Sequence, residues 1–342
     1  MIESCCFSLC CLEYTSLVKS QHTILVTGAT GFVGQDLVVK LLAEKNNVIS
    51  GVRRKSPVVD SELKQLELGD LSSGEAVFFD LASIDVIIHT AACVHIMTEA
   101  TGSVPLTEFR KVNTTATINL AKQAAEAGVK RFIFLSSIKV NGEMTSSGRQ
   151  FKPNDDFIPS GPYPLSKYEA EKGLLEIAKE TGMEVVIIRP PLVYGPSVKA
   201  NFSSMMKWVN KGIPLPFGAI DNKRSFVALD NLVSFIIHCI EHPKAANEIF
   251  LISDGEDVST TELLNKVAKA FGVKARLLPI PVSIMTFAAT LIGKKAVANR
   301  LFSSLQVDSS KARDLLDWKP VITMDEQLKK TAEAYIGNEK NL

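Results

Sequence analysis

Short runs of apolar residues alternate with stretches of helical periodicity over the first part of the chain. Five such runs predict buried strands: "TILVT" (23–27), "NVISGV" (47–52), "DVIIHTAA" (85–92), "RFIFLSS" (131–137) and "EVVIIRP" (184–190). Between them, segments such as 33–45 repeat apolar residues at helical spacing and predict helices. Continuous apolar strands separated by helices are typical of a parallel sheet covered on both faces. The pattern therefore predicts an α/β fold with a doubly wound parallel sheet.

A series of prolines then interrupts this alternation: Pro190, Pro191, Pro196, Pro214 and Pro216. They predict loops and a smaller C-terminal lobe. Segment 225–253 again carries strand and helix patterns, beginning with "SFVAL" (225–229), and could return to the first sheet. The expected organisation is a leader over 1–21, a first domain over 22–190 to which 225–253 returns, and a smaller lobe of 191–224 and 254–335.

Composition and charge narrow the class of partner. The chain has 342 residues, of which 46% are hydrophobic and 22% charged, as in ordinary globular proteins with a sizeable core. A formal net charge of +1 gives no electrostatic case for nucleic acid, which calls for a strongly basic face. We therefore expect a small-molecule partner and no nucleic acid.

Four of the six cysteines lie in the leader: Cys5, Cys6, Cys10 and Cys11. A disulfide scaffold would spread its cysteines along the chain, and a zinc site would add a second, distant pair. The leader also lacks the basic start of a signal peptide. We expect a mobile, reduced leader, a cytoplasmic protein and no bound metal, with metal or lipid attachment of the leader as the alternative.

The most apolar stretch of the chain is "LLPIPVSIMTFAATLIGKK" (277–295). Its part after Pro281 is too short to span a bilayer comfortably, so no stable membrane insertion is expected. We predict a buried helix here. A helix that lies in the membrane interface, assisted by Lys294 and Lys295, is the alternative.

The motif "TGATGFVG" directly follows the first predicted strand and enters the first helix. Gly28 would permit the tight turn, Gly31 would let the backbone approach a pyrophosphate, and Gly34 would let the helix pack on the sheet. The N-terminus of the helix would present free N–H groups to the phosphate charge. In this strand–turn–helix context the motif predicts a dinucleotide-binding (Rossmann) domain.

The turn after the second strand reads "GVRRKS", with Arg53 and Arg54 and no acidic residue. An acidic residue there binds the ribose 2′-hydroxyl of NAD, whereas guanidinium groups suit the 2′-phosphate of NADP. We predict NADP, with a tenfold or greater preference for NADPH over NADH, which corresponds to about 1.4 kcal/mol. Solvated surface arginines and NAD are the alternative.

The motif "YPLSK" places Tyr163 four residues before Lys167. On a helix these side chains share one face. A cationic neighbour lowers the pKa of a tyrosine, so the pair could form a tuned proton donor. By itself the spacing is a weak signal, since two surface residues can also have it.

Seven motifs in order resemble the extended short-chain dehydrogenase/reductases, in the branch of nucleotide-sugar epimerases, dehydratases and 4-keto reductases: "TGATGFVG", "GDL", "HTAA", "VNTTATINL", "LSSIKVNG", "YPLSK" and "RPPLVYGP". The resemblance covers residues 22–330. It implies that Tyr163 exchanges a proton with a sugar oxygen, that Lys167 holds the nicotinamide ribose, and that Ser137 hydrogen-bonds the same sugar oxygen. It also implies a homodimer through helices near 107–127 and 163–180.

The resemblance assigns further residues to the two ligands. The expected cofactor contacts are Gly28, Thr30, Gly31, Phe32, Val33, Gly34, Arg53, Arg54, Asp70, Leu71, Ala91, Ala92, Asn113, Tyr163, Lys167 and Pro190. The expected contacts to a UDP-sugar are His95, Ser137, Asn201, Phe217 and Arg224. Asn141 stands where many relatives have tyrosine. The smaller lobe would accordingly bind the nucleotide sugar.

Several functions share these residues. We predict NADPH-dependent reduction of a UDP-4-keto-6-deoxy-N-acetylhexosamine in surface-polysaccharide biosynthesis. The alternative is a 4-epimerase of UDP-glucose or UDP-N-acetylglucosamine with tightly bound NAD. A dehydratase would carry an Asp–Glu pair where Ile138 and Lys139 stand, and a redox-sensing binding protein would have a broken catalytic triad.

Overall fold

A computed structural model of the protein describes residues 21–54, 63–69, 79–93, 105–155 and 157–340. In these residues the strands are β1 (Thr23–Thr27), β2 (Asn47–Val52), β3 (Lys64–Glu67), β4 (Val86–His89), β5 (Arg131–Leu135), β6 (Glu184–Arg189), β7 (Leu192–Tyr194), β8 (Arg224–Ala228), β9 (Glu248–Leu251) and β10 (Asp257–Val258). The predicted leader lies outside the described residues, except for its last residue.

The described helices alternate with these strands in the first part of the chain and dominate the last part. They are α1 (Phe32–Ala43), α2 (Leu106–Phe109), α3 (Ala116–Glu126), α4 (Pro162–Thr181), α5 (Ala200–Asn210), α6 (Leu229–Glu241), α7 (Thr260–Ala270), α8 (Val282–Leu291), α9 (Lys295–Phe302), α10 (Ser310–Leu316) and α11 (Met324–Lys340). A π-helical segment (Arg110–Thr115) joins α2 to α3. No described helix is long and apolar enough to cross a membrane.

Seven of the described strands form one parallel sheet in the order β3-β2-β1-β4-β5-β6-β9. The chain runs outward from β1 in both directions, so the carboxyl ends of β1 and β4 meet at the point where the strand order reverses. In doubly wound sheets the ligand crevice opens at this switch point. The predicted α/β fold with a parallel Rossmann sheet is confirmed.

Apolar side chains fill both faces of this sheet. On one face α1 and α6 cover Ile24, Val26 and Ile88. On the other face α3 and α4 cover Leu25 and Ile87. Successive residues of a strand point to opposite faces, so a strand buried on both sides is apolar at most positions. This explains why the central strands form apolar runs, whereas the edge strand β3 (KQLE), whose residues are exposed or half-buried, was not predicted.

A smaller sheet, in the order β10-β8-β7, lies in the second half of the chain. Its strands pack with α5, α7 and α11 around a separate apolar cluster that includes Phe202, Phe226 and Leu264. The segment 225–229 was considered as a strand of the first sheet, but β8 pairs with β7 and β10 instead. Helix α6, which follows it, packs on the large sheet, and strand β9 belongs to that sheet as the parallel neighbour of β6.

The prediction of a buried helix in 277–295 is right about the helix and wrong about its burial. Helix α8 forms there, but none of its residues is buried. The periodicity of an apolar helix is the same whether its surface faces a protein core or the outside, so sequence could not decide its burial.

Candidate active site

The glycine loop lies between β1 and α1 and is built as the motif requires. Gly28 has φ +69°, and a Cβ there would lie 2.7 Å from the Ala91 backbone nitrogen. A Cβ at Gly34 would lie 2.1 Å from the Gly28 carbonyl oxygen, so no larger residue fits without moving the helix. Only glycine therefore fits at both positions. The loop is compact, and α1 begins directly after it at Phe32.

The open side of this loop suits an anionic group. The Gly31 amide donates to the Gly28 carbonyl oxygen at 2.8 Å, and the first turn of α1 presents its N–H groups beyond it. A Cβ at Gly31 would meet the Gly28 oxygen at 3.1 Å and otherwise face open space among the described residues. These features fit the pyrophosphate of a dinucleotide.

Other predicted cofactor contacts lie at the same edge of the sheet. Arg53 and Arg54 follow β2 and are exposed, while Ala91 and Ala92 follow β4. The charge of Arg53 lowers the pKa of the Cys93 thiol, although burial raises that pKa more strongly. The positive charge after β2 therefore influences the ionisation of Cys93 in the loop after β4.

Some predicted contacts make other interactions or lie elsewhere. Asn113 is buried, accepts from the Cys93 amide at 2.8 Å and donates to the Cys93 carbonyl oxygen at 3.0 Å and to Ser166 at 3.1 Å. It therefore ties the loop after β4 to α4. Asp70, Leu71 and His95 lie outside the described residues.

Tyr163 and Ser137 meet at the carboxyl end of the sheet. Ser137 follows β5 and caps a short 3₁₀ turn, where its hydroxyl oxygen accepts from the Lys139 amide at 3.3 Å. Tyr163 lies in the first turn of α4, and its ring packs edge-on against Phe109 at 6.1 Å. A hydrogen bond to Ser137 lowers the pKa of Tyr163, but burial raises it more, so the net shift is upward. The expected lowering of this pKa is therefore not what the protein alone produces.

Lys167 is fully buried one turn further along α4. Its Nζ donates to the Leu135 carbonyl oxygen at 2.9 Å and lies 4.4 Å from the centroid of the Phe134 ring. Burial lowers the pKa of Lys167 to about 7, although the Glu171 carboxylate opposes the shift. Near neutral pH the amine is therefore only partly charged.

A buried ion pair supports this group of residues and was not predicted from the sequence. The Glu171 carboxylate accepts from Arg189 at 2.6 and 3.0 Å and from the Ser136 hydroxyl. Arg189 also donates to Asn141 at 2.9 Å, and Asn141 donates to the Lys152 carbonyl oxygen at 2.8 Å. The pair thus connects α4 to β6 and to the loop after Ser137.

The same network gives Asn141 a structural role. Its side-chain oxygen accepts from the Arg189 guanidinium, and its side-chain nitrogen donates to the Lys152 carbonyl oxygen. Pro190 contributes nearby, because its carbonyl oxygen accepts from the Ile138 amide at 3.0 Å. Sequence reasoning missed the Glu171–Arg189 pair, although a glutamate four residues after Lys167 was a usable signal.

Lys139 was noticed only as a departure from the dehydratase pattern. Its Nζ lies 5.9 Å from the centroid of the Tyr163 ring, at the solvent side of the site. Burial lowers its pKa, while the charge of Glu143 raises it. A cation therefore stands where an Asp–Glu pair would be required for dehydration.

The predicted sugar contacts Asn201, Phe217 and Arg224 belong to the smaller lobe. Asn201 is exposed in α5, and Phe217 is half-buried. The Arg224 guanidinium donates to the carbonyl oxygens of Arg300 and Ser303, at 2.7 and 3.0 Å. These interactions attach β8 to the end of α9.

The pKa of Lys167 leads to a prediction about stability. The unfolded chain keeps this proton up to about pH 10, whereas the folded chain releases it near pH 7. The unfolded state therefore binds more protons between these values, and native stability should rise with pH by about 1 kcal/mol per pH unit from this group. Urea unfolding of the wild type and of Lys167→Met at pH 7 and pH 9 should show this rise only in the wild type.

The sheet order, the glycine loop and the tyrosine on α4 define a Rossmann protein of the dinucleotide-binding class. More particularly, the chain belongs to the NAD dependent epimerase/dehydratase family, whose model matches residues 24–253. The resemblance seen in the sequence is thereby confirmed.

Relatives of this chain include enzymes with two kinds of substrate. It is 48% identical over 319 residues to a UDP-glucose 4-epimerase of Vibrio cholerae, covering 93% of this chain and 97% of the relative. It is 29% identical over 335 residues to a 3-beta-hydroxysteroid dehydrogenase of Mycolicibacterium neoaurum, covering 89% of each. A crystal structure of UDP-glucuronic acid 4-epimerase from Bacillus cereus in complex with NAD matches with a TM-score of 0.72 and 21% identity, over 92% of this chain and 99% of that one, and shows the shared fold.

Proposed function

We propose that this protein is a UDP-sugar 4-epimerase that uses tightly bound NAD. The observation that carries the proposal is the 48% identity to a UDP-glucose 4-epimerase along nearly the full length of both chains. The chain also has Ser137, Tyr163 and Lys167 together at the carboxyl edge of the sheet. The identity to a 4-epimerase favours the epimerase alternative over the 4-keto reductase predicted from the sequence, whereas these three residues are common to both.

The side chains support proton transfer at the sugar C4 oxygen. The Tyr163 side chain, as the phenolate, would take the hydroxyl proton when the C4 hydride leaves, and the phenol so formed would return a proton to the oxygen when the hydride returns. Burial raises the pKa of Tyr163 in the protein alone, and the positive charge of an oxidised nicotinamide beside the ring would favour the phenolate. The Ser137 hydroxyl would bond the same oxygen and hold it beside the phenol. A nicotinamide dinucleotide, when bound, supplies the hydride acceptor and donor. Lys167, which is buried on α4, would bind the nicotinamide ribose.

In this proposal the two ligands are bound by different lobes. The residues around Gly28 and the end of β4 would bind the dinucleotide, and Arg224 with Phe217 would bind the UDP. Helices α3 and α4 are proposed to pair with their copies in a homodimer.

The test is a reaction without added cofactor. Purified protein should convert UDP-galactose to UDP-glucose, detected by chromatography, with no net change in nicotinamide absorbance, because the hydride returns to the same carbon. Nucleotide released from the denatured protein should be NAD by mass. A protein that leaves both UDP-hexoses unchanged, even with NAD supplied, contradicts the proposal.

A second candidate is the NADPH-dependent 4-keto reductase, which Arg53 and Arg54 favour, since two guanidinium groups suit a 2′-phosphate. In that case NADPH should bind at least tenfold more tightly than NADH, and Arg53→Ala with Arg54→Ala should remove the preference. A UDP-4-keto sugar should then consume NADPH in stoichiometric amounts. Fluorescence titration with both cofactors separates the two candidates.

A further inference from the structure

Helix α8 carries a large apolar surface that no other part of the described chain buries. Its sequence, VSIMTFAATL, has no charged residue, and none of its residues is buried. The side chains of Ile284, Phe287, Leu291, Ile292 and Val297 are exposed over 57% to 73% of their surface. Ile284, Phe287 and Leu291 are three and four residues apart and therefore share one side of the helix. We call residues 282–302, which form α8, its turn and α9, the apolar hairpin.

Isolated exposed apolar residues are ordinary, but a contiguous group of this kind marks a docking surface. Helices α8 and α9 also contact each other. The apolar side of α8 therefore remains available to an occupant from outside the described chain.

The charge around the hairpin identifies the occupant. Residues 263–307 contain seven lysines and arginines and no aspartate or glutamate, although the whole chain has a net charge of only +1. Four of these basic residues, Lys274, Arg276, Lys294 and Lys295, flank α8 on both sides and are exposed. An apolar helix flanked by basic residues is the arrangement that binds at the interface of a membrane with anionic lipids.

A second copy of the chain fits this surface less well. A symmetric pairing through α8 would bring Lys294 and Lys295 of one copy close to the basic residues of the other, with no acidic residue of the segment to compensate. Like charges placed together oppose association. We propose that the apolar hairpin docks on a bilayer surface that contains anionic lipids, with α8 parallel to that surface.

Docking would also bring one end of the smaller lobe to the membrane. The Gly218 amide donates to the Leu278 carbonyl oxygen at 2.9 Å, just before the hairpin, and Arg224 donates to the Arg300 carbonyl oxygen at its far end. The hairpin is thus attached at both ends to the segments that carry Phe217 and Arg224. Membrane docking would place the proposed UDP-binding residues beside the lipid surface.

Co-sedimentation with vesicles tests the proposal on the full chain. The protein should pellet with vesicles made of equal parts phosphatidylglycerol and phosphatidylcholine, and much less with phosphatidylcholine alone. Phe287→Glu combined with Leu291→Glu should lower the partition coefficient at least tenfold, because two large apolar groups are lost from the contact. Lys294→Glu combined with Lys295→Glu should weaken binding and reduce its sensitivity to salt.

Val39→Glu provides the matched control, because Val39 is equally exposed on α1 at 68% and lies outside the hairpin. It should bind vesicles like the wild type, and thermal unfolding should show that all variants are folded. Equal binding of wild type and Phe287→Glu/Leu291→Glu would overturn the proposal, as would no binding to either vesicle. Light scattering tests whether a second copy of the chain covers α8 instead. If Phe287→Glu/Leu291→Glu halves the molecular mass, α8 is an interface between copies and the proposal is wrong.

Discussion

Tyr163→Phe should lower the turnover of a UDP-sugar by a factor of about a hundred or more, the usual range for losing a general acid. The substitution keeps the ring and its edge-on packing against Phe109 but removes the proton that the C4 oxygen exchanges. Cofactor affinity should change little, because the glycine loop and Lys167 stay in place. Steady-state rates and cofactor titration on the same preparation measure both quantities.

Tyr168→Phe is the matched control on the same helix. Tyr168 is half-buried, and its ring lies 5.4 Å from the Lys172 ammonium. This variant should keep turnover within about a factor of two of the wild type, because it keeps the ring and Tyr168 has no assigned contact with the sugar or the cofactor. If Tyr163→Phe behaves like Tyr168→Phe, the proton donor is a different group.

Glu171→Gln should lower the free energy of unfolding by about 3–5 kcal/mol, the range for breaking a buried ion pair by removing one partner. Both side chains are almost fully buried, at 3% exposed for Glu171 and 6% for Arg189. Glutamine has a similar shape but leaves the Arg189 guanidinium without a counter-charge inside the protein. Urea unfolding followed by circular dichroism measures the loss.

Glu169→Gln breaks an ion pair of the same chemistry two residues earlier. Its partner is Arg110, and both side chains are partly exposed, at 27% for Glu169 and 44% for Arg110. The expected loss is much smaller than that for Glu171→Gln, because solvent screens an exposed pair. A similar loss for both variants would show that Glu171 does not act through burial.

Glu171→Gln should also change the protonation of Lys167. The Glu171 carboxylate raises the pKa of Lys167, which burial otherwise lowers to about 7. Without that carboxylate the Lys167 pKa should fall further, so Lys167 should be neutral over more of the neutral range. The rise of native stability with pH should accordingly begin at a lower pH in Glu171→Gln than in the wild type.

Several features of this protein follow from short segments of sequence. The central strands of the large sheet form apolar runs because both of their faces are buried, whereas the edge strand β3 lacks that pattern and was not predicted. Gly28 and Gly34 were interpretable because their conformation and close contacts allow no other residue. Tyr163 and Lys167 could be placed on one helix from their spacing, since helical geometry is local.

Other features depended on which segments meet in three dimensions. The Glu171–Arg189 pair joins α4 to β6. Lys139 lies in the turn after β5, whereas Tyr163, whose ring it approaches, lies on α4. Strand β8 carries the same kind of apolar pattern as the strands of the large sheet, yet it pairs in the small one. The apolar pattern of α8 predicted a helix correctly and its burial wrongly. In each case local conformation followed from backbone geometry and periodicity within a short segment, whereas pairing partners and burial could be read only from the fold, because they depend on groups far apart in the chain.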